Sequence, residues 1–322
     1  MLATRKWCCA FALSLLVAAG CDNPSKIAPV AIGDAWYVAT DDLNREVPLA
    51  KSPQRIISLT PANTEMLFAV GAGDKVVGVT TFCNFPPEAQ QRTKVGGFLS
   101  KSINRETLLS LKPDLVLAGR SHDGILKDLN KFGIPTLILE PQSLQDILRV
   151  TESIGNITDR KEQAEQVTSA FRVRLQRVRT AVSTLQAEDV RTVYYEVWNR
   201  PLTTAGQGSF IHELIVEAGG KNIFADLDSP FPRVSEESLL VRNPSVILAP
   251  TSASTDNKKA LMLARSAWSN INAIVNKDVH FIDEDIVSRP GPRVIDALEA
   301  MVTAIYPQLD LGDIAPSRGS TE

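Results

Sequence analysis

Residues 159–186 read DRKEQAEQVTSAFRVRLQRVRTAVSTLQ, a stretch without Gly or Pro in which nothing interrupts a helix. Its apolar residues recur at steps of three or four, the spacing of one helix face; they are Ala164, Val167, Phe171, Leu175, Val178, Val182 and Leu185. Thr158 is the predicted N-cap. The helix would be about 40 Å long, close to the width of a small domain. Such a segment is either a coiled-coil or surface helix, or a rigid connection between two lobes.

The composition of the chain is typical of a globular protein. The chain has 322 residues, of which 44% are hydrophobic and 22% are charged. This length favours two domains. The net charge of −3 gives no indication of a nucleic-acid partner.

The first 21 residues have the pattern of an export signal. Two basic residues precede an uncharged stretch, Trp7–Ala19, which is too short to span a bilayer comfortably. The segment ends in Ala-Ala-Gly-Cys and resembles a bacterial lipobox, which predicts that Cys21 is lipidated and anchors the protein to a membrane. An ordinary signal peptide cleaved elsewhere is the alternative. Asp22 resembles the inner-membrane retention signal of enteric bacteria, so we expect the periplasmic face of that membrane or the outer surface of a cytoplasmic membrane.

The four cysteines agree with this interpretation. Cys8 and Cys9 lie in the segment that would be removed, and Cys21 would carry the lipid. Cys83 would then be the one cysteine that remains unmodified in the mature chain, so no intramolecular disulfide is expected there.

The two halves of the chain follow the same plan. Residues 54–157 alternate between β-rich and helical runs, which predicts an α/β lobe with a mainly parallel sheet, and residues 188–307 repeat the alternation. The matching segments are 63–71 with 211–219, which share a six-residue spacing from Glu to Gly, and 104–117 with 235–248. A period of half the chain indicates two lobes rather than a solenoid, although chance similarity between two α/β units is the alternative. The connecting helix, assigned to 158–187, lies between the copies.

The predicted fold is therefore α/β, with two similar lobes of mainly parallel sheet joined by one long helix and a ligand cleft between the lobes. Ligands of such sheets collect beyond the carboxyl ends of the strands. Residues 22–53 are predicted to form a tether followed by a short strand or hairpin. Residues 308–322 are predicted to be a disordered tail. Asn63 or Thr64 is the predicted cap of the first helix.

Six short motifs occur in a fixed order along the chain. They are 55–65 (RIISLTPANTE), 76–79 (VVGV), 84–88 (NFPPE), 111–116 (LKPDLV), 219–224 (GGKNIF) and 289–293 (RPGPR). In this order they resemble the bacterial ABC-transporter substrate-binding proteins for cobalamin, siderophores and haem, whose lobes are joined by one long helix. The resemblance covers residues 54–307, and the first and third motifs are most similar to the cobalamin-binding branch.

The resemblance implies a protein that captures a corrinoid between its lobes and delivers it to a membrane permease and its ATPase, without catalysis and as a monomer. The family contacts its ligand through loops after strands, and the matching loops here carry Phe82, Phe85, Phe98, Trp198, Phe231 and Arg289. Aromatic walls suit a large, flat ligand, although such rings are also common in a protein core. Phe98 and Phe82 stand where the cobalamin branch tends to have Trp and Tyr. Arg289 would either pair with an anionic group or cap a helix.

The resemblance also implies a docking surface for the permease. In the cobalamin branch each lobe presents one acidic residue to arginines of the permease, and the matching positions here are Glu106 and Glu237. Two separated carboxylates would fix orientation and steer the encounter. Solvated glutamates at helix starts are the alternative, and Glu236 competes with Glu237 for the role.

Other functions are possible on this scaffold. A ferric siderophore or haem is the alternative cargo. Haem favours a Tyr or His ligand, but the four tyrosines lie outside the predicted ligand-contacting loops. A metal-ion site would need converging His and carboxylates, and His122, His212 and His280 are scattered in the sequence. No P-loop, G-x-S-x-G or GxGxxG motif suggests an enzyme. We therefore expect no cofactor, no metal and no catalytic residue.

Overall fold

A computed structural model describes residues 31–251 and 258–312. The predicted signal segment, Cys21, Asp22 and the first part of the tether lie outside the described residues, as does most of the predicted tail. Leu309 and Leu311 still pack against the core, so the packed part of the chain continues past residue 308.

An antiparallel hairpin precedes the first lobe, as predicted for the end of the tether. It consists of β1 (Tyr37–Thr40) and β2 (Glu46–Leu49). The turn between the strands is attached to the first lobe, because Asp42 N donates to Ile138 O at 2.8 Å. The hairpin is therefore part of the N-terminal lobe.

The N-terminal lobe contains a parallel five-stranded sheet. Its strands are β3 (Ile56–Ser58), β4 (Val76–Val79), β5 (Thr93–Lys94), β6 (Leu115–Ala118) and β7 (Thr136–Ile138), in the order β5-β4-β3-β6-β7. Its helices are α1 (Pro61–Ala69), α2 (Pro87–Gln90), α3 (Arg105–Ser110), α4 (Asp123–Lys131) and α5 (Leu144–Thr158). The strands are nearly all buried, which explains why they read as apolar runs.

The long helix α6 spans Lys161–Val182 and is about 33 Å long. It begins later than predicted, because α5 continues through Thr158 and Asp159 then adopts a left-handed conformation (φ 59°). Thr158 is therefore not the N-cap; its hydroxyl donates to Ile154 O within α5. Arg160 occupies the N-cap position without a side-chain cap. Gly155 permits the close packing of α5 on α6, since a Cβ there would lie 2.4 Å from that of Ala164.

The C-terminal lobe repeats the arrangement. Its strands are β8 (Thr192–Asn199), β9 (Leu202–Thr204), β10 (Lys221–Asn222), β11 (Val246–Thr251) and β12 (Val279–Asp283). Its helices are α7 (Phe210–Glu217), α8 (Glu236–Arg242), α9 (Lys258–Leu263), α10 (Asn272–Val275), α11 (Glu284–Val287) and α12 (Val294–Ile305). The parallel order β10-β8-β11-β12 matches β4-β3-β6-β7 of the first lobe, and β9 adds an antiparallel partner to β8.

Helix ends confirm the internal repeat. Thr60 caps α1 and Ser209 caps α7, each by accepting a hydrogen bond from a backbone N–H three residues later. Both helices are followed by glycines with positive φ, Gly71 (75°) and Gly219 (79°), where a side chain would be strained. The prediction that Asn63 or Thr64 caps α1 is wrong, because Pro61 already begins the helix and its fixed φ suits the first turn.

Helix α6 packs against both lobes, which confirms that it connects them. It contacts α1 and α5 on one side and α7 and α12 on the other. Its buried residues are Ala164, Thr168, Phe171, Leu175 and Val178, while the predicted core residue Val167 is only half-buried. One apolar cluster runs from α1 and α5 through α6 to α7 and α12. A core shared in this way restricts how far the lobes can move apart.

Within the described residues, no helix is both long enough and apolar enough to cross a membrane. Cys83, the cysteine expected to remain unmodified, is buried and unpaired.

Candidate functional site

A cavity of about 860 Å³ lies between the lobes. From the N-terminal lobe it is lined by the first turn of α1 and by the segments that follow β6 and β7. From the C-terminal lobe it is lined by the start of α7, by residues around Phe231 and by the segment after β12. Most of these segments follow the carboxyl ends of parallel strands, which is where such sheets bind ligands. The volume lies within the range of small-molecule sites.

Three of the predicted aromatic residues come together here. Phe82 and Phe98 line the cavity from the N-terminal lobe, and Phe231 lines it from the C-terminal lobe. Their exposed fractions are 51%, 50% and 52%, so all three belong to a surface and not to the core. The rings of Phe82 and Phe98 meet edge to face with centroids 6.4 Å apart. This contact holds two rings against one wall.

The other two predicted aromatic residues do not line the cavity. Phe85 is half-buried, and its ring centroid lies 3.7 Å from the guanidinium carbon of Arg293 in a separate pocket. Trp198 is 63% exposed on the β8–β9 hairpin, where its indole N–H donates to Arg200 O at 2.8 Å. A cation–π contact in one case and a local hydrogen bond in the other hold these side chains away from the cavity.

Arg289 lines the cavity and is already paired. Its guanidinium donates to Asp285 of its own lobe and to the Asn84 side chain of the other lobe. The Asn84 amide in turn donates to Asp285 at 2.8 Å. Arg289 therefore neither caps a helix through these bonds nor offers a fully unpaired cation to an anionic ligand.

The cavity has more acidic than basic side chains. Among the described residues that line it, those with formal charge are Glu140, Glu284, Asp285 and Arg289. Glu140 is held in place because one carboxylate oxygen accepts from Arg120 N at 2.5 Å and its own N–H donates to Asp42 at 2.6 Å. This balance favours a neutral or cationic ligand over an anionic one.

Several polar lining residues were not predicted from the sequence. Glu140 and Gln142 follow β7, Ser121 follows β6, and Glu284 follows β12. The signal that could have identified them is their place directly after a predicted strand. The aromatic residues were predicted instead because aromatic walls suit a large, flat ligand.

A buried histidine lies behind Phe98. The ring centroids of Phe98 and His122 are 6.1 Å apart, and His122 is fully buried. Burial lowers the pKa of His122, which keeps the imidazole neutral near pH 7. Its Nε2 has no hydrogen-bond partner among the described residues.

The tyrosines do not reach the cavity. Tyr194, Tyr195 and Tyr306 are almost completely buried in the core, and Tyr37 belongs to the N-terminal hairpin. No Tyr or His is among the described residues that line the cavity. The described chain also shows no group of three His, Cys, Asp or Glu residues placed to hold a metal ion.

The two predicted docking glutamates occupy equivalent places. Glu106 lies in the first turn of α3 and Glu237 in the first turn of α8, and both are exposed. Asn104 and Ser235 cap these helices in the same way. Hydrogen bonds from its own backbone N–H and from Ser235 lower the pKa of Glu237, so it is ionised near neutral pH. Glu236 is exposed beside it, and the choice between the two stays a prediction.

Comparison with known proteins gives a consistent set of similarities. Residues 56–286 match the family described as periplasmic binding protein. The chain is 33% identical, over 92% of its length and 96% of the relative's, to an uncharacterized ABC transporter substrate-binding lipoprotein of Bacillus subtilis. A vitamin B12 binding protein of Vibrio cholerae has a similar crystal structure (TM-score 0.68, 32% identity, 79% of this chain and 97% of that one). A possible iron-binding protein of Staphylococcus epidermidis is also similar (TM-score 0.70, 31% identity, 80% and 100%).

Proposed function

The chain belongs to the periplasmic binding protein family of ABC importers, and we propose that its cargo is a corrinoid such as cobalamin. The observation that carries the proposal is the set of three half-exposed phenylalanine rings, Phe82, Phe98 and Phe231, on facing lobes of one cavity. The protein would capture the ligand without chemical change and deliver it to the permease, which the ATPase drives.

The aromatic walls suit a broad ligand with apolar faces. Each ring offers a rigid surface that loses little conformational entropy on binding, and burying it removes apolar area from water. The carboxylate of Glu140 and the amide of Gln142 lie at the same cavity and can accept hydrogen bonds from amide N–H groups. A corrinoid carries several such amides on its rim, so one ligand would satisfy both features.

The charges at the cavity argue against haem. Haem carries two propionates, and the carboxylates of Glu140, Glu284 and Asp285 would repel them. The lining also supplies no Tyr or His, within the described residues, to bind the iron. The second candidate is a ferric siderophore of neutral or positive net charge, which the same carboxylates would tolerate. The similarity to a possible iron-binding protein supports a ferric siderophore as this second candidate.

A ligand panel tests the cargo. We expect the purified chain from Asp22 onward to melt at a higher temperature with cobalamin, since ligand at a hundredfold excess over Kd stabilises the folded state by about 2.7 kcal/mol. Haem and ferric hydroxamate and catecholate complexes are the comparison ligands. The absorbance spectrum after gel filtration identifies what stays bound. A shift with a ferric siderophore and none with cobalamin would show that the corrinoid assignment is wrong.

We further propose that lipid on Cys21 anchors the protein. The lipobox-like segment supports this, as does the similarity of nearly the whole chain to a lipoprotein. Cys21→Ala is expected to move the protein from the membrane fraction to the soluble fraction. Cys83→Ala is the control, because Cys83 is buried, forms no disulfide and lies outside the lipobox-like segment. Unchanged membrane fractionation of Cys21→Ala would exclude the anchor.

A further inference from the structure

Glu65 forms a buried ionic contact between the lobes. It lies in α1 of the N-terminal lobe, and its side chain is 3% exposed. Its two carboxylate oxygens accept from the Arg293 guanidinium at 2.7 and 2.9 Å, and Arg289 lies 3.7 Å away. Both arginines follow β12 in the C-terminal lobe, and Arg293 is the N-cap residue of α12. Glu65 therefore joins the first helix of one lobe to the segment after the last strand of the other.

Glu213 forms the corresponding contact in the opposite direction. It lies in α7 of the C-terminal lobe and is half-buried. Its carboxylate accepts from Leu144 N at 3.1 and 3.3 Å. Leu144 is the first residue of α5, which follows β7 in the N-terminal lobe. A carboxylate at a helix N-terminus satisfies an otherwise unpaired N–H and interacts favourably with the helix dipole.

The two glutamates hold the same position in the internal repeat. Each stands six residues before the glycine that follows its helix, Gly71 or Gly219. Strands β7 and β12 are equivalent edge strands of the two sheets. The contacts are thus reciprocal, since a glutamate of each lobe contacts the segment that follows the edge strand of the other lobe.

Both contacts lie next to the ligand cavity. Pro61 and Ala62, one turn before Glu65, line it, and so does Phe210, one turn before Glu213. The two segments that receive the carboxylates also line it, through residues 139–142 of one and residues 284–285 and 288–290 of the other. A shift of either contact would therefore move walls of the cavity on both sides.

We propose that Glu65 and Glu213 are paired positioning residues that hold the two lobes at the separation needed for ligand binding. The inference rests on the proposed ligand-binding function. Replacing Glu65 is expected to have the larger effect, because the partly buried guanidinium of Arg293 then loses its carboxylate partner, and a buried charge without a counter-charge is strongly unfavourable. The Asn84–Asp285–Arg289 contacts lie alongside and would be weakened as Arg289 moves.

Distances between spin labels test the proposal without any ligand. Lys127→Cys in α4 and Val241→Cys in α8 place labels on exposed sites of opposite lobes, while Cys83 is too buried to react. We expect a narrow distance distribution in the otherwise unchanged chain. Glu65→Gln should shift or broaden it by more than about 2 Å, the scale of domain rearrangements. Glu213→Ala should change the distance distribution in a similar way. Glu213→Gln should change it less, because the amide oxygen of the glutamine can still accept a hydrogen bond from Leu144 N.

Glu196→Gln is the matched control. Glu196 is also buried and, like Glu65, accepts two hydrogen bonds from one arginine, Arg265, but this contact lies entirely within the C-terminal lobe. We expect this variant to lower the melting temperature and leave the label distances unchanged. If the distributions of Glu65→Gln and Glu213→Ala, both shown to be folded by circular dichroism, superimpose on that of the parent chain, the positioning role is wrong.

The rate of ligand dissociation then tests whether the separation of the lobes affects ligand binding. With whichever cargo the parent chain binds, Glu65→Gln should dissociate about tenfold faster, since most affinity changes appear in the dissociation rate. Glu196→Gln should dissociate at the parental rate. An unchanged rate in Glu65→Gln would refute the positioning role in binding. If the parent chain binds no member of the panel, the cargo assignment fails, whereas the label distances still decide whether the glutamates position the lobes.

Discussion

A chain carrying Glu106→Lys together with Glu237→Lys is expected to lose about a hundredfold of ligand uptake while it keeps its ligand affinity. Both carboxylates are exposed at equivalent helix starts, one on each lobe, and neither lines the cavity. Reversing their charge would place like charges against the arginines expected on the permease, which costs several kcal/mol. Uptake of labelled ligand and binding to the purified permease in nanodiscs are the measurements.

The control for this prediction has the same change in net charge. Glu162→Lys with Glu188→Lys alters two exposed carboxylates, one on α6 and one in the turn after it. Uptake should remain near the parental level in that variant. A variant with Glu106→Lys and Glu236→Lys, compared with the Glu106/Glu237 variant, shows which of the two glutamates on α8 docks to the permease. Loss of ligand affinity in the Glu106/Glu237 variant would refute a role confined to docking.

The second large effect concerns the aromatic walls. Phe98→Ala with Phe231→Ala is expected to weaken ligand binding by about a hundredfold, since large-to-small changes at contact aromatics cost about 1–3 kcal/mol each. The melting temperature of the ligand-free protein should change little, because both rings are already half exposed. Isothermal titration calorimetry with the bound cargo and thermal unfolding measure the two effects.

Phe132→Ala provides the matched control for the aromatic residues. Phe132 is also an exposed phenylalanine, but it lies beside α3 and α4, away from the interlobe cavity. Its replacement should leave ligand affinity unchanged. Equal affinities of the Phe98/Phe231 variant and the parent chain would show that the aromatic walls do not bind the ligand.

Local patterns were enough to predict the architecture of this protein. The apolar spacing within 159–186 predicted a single buried helix face, and the repeat of segments on either side predicted two lobes. Helix periodicity and strand–turn–helix order can be read from neighbouring residues, and the two lobes follow because that order occurs once in each half of the chain. The exact start of α6 was missed, since the left-handed turn at Asp159 lets α5 run on to Thr158.

The candidate site was predicted in part. Phe82, Phe98, Phe231 and Arg289 lie at the cavity as expected, because their loops follow strands whose ends converge. Phe85 was placed in the same group because its loop matches one of the loops through which the resembled family contacts its ligand. Its ring instead covers Arg293, a residue more than two hundred positions later that no local pattern could connect to it.

The sequence by itself determined the class of fold, the connecting helix and the presence of two related lobes. The first two depend on patterns within single helices and strands, and the third depends on the repetition of such patterns in both halves of the chain. The tertiary structure alone decided which aromatic rings face the cavity, how its charges balance and which groups join the lobes. Glu65 shows the physical reason. In the sequence it is a glutamate in a helix, and only when the lobes come together does burial beside Arg289 and Arg293 make it a contact between them.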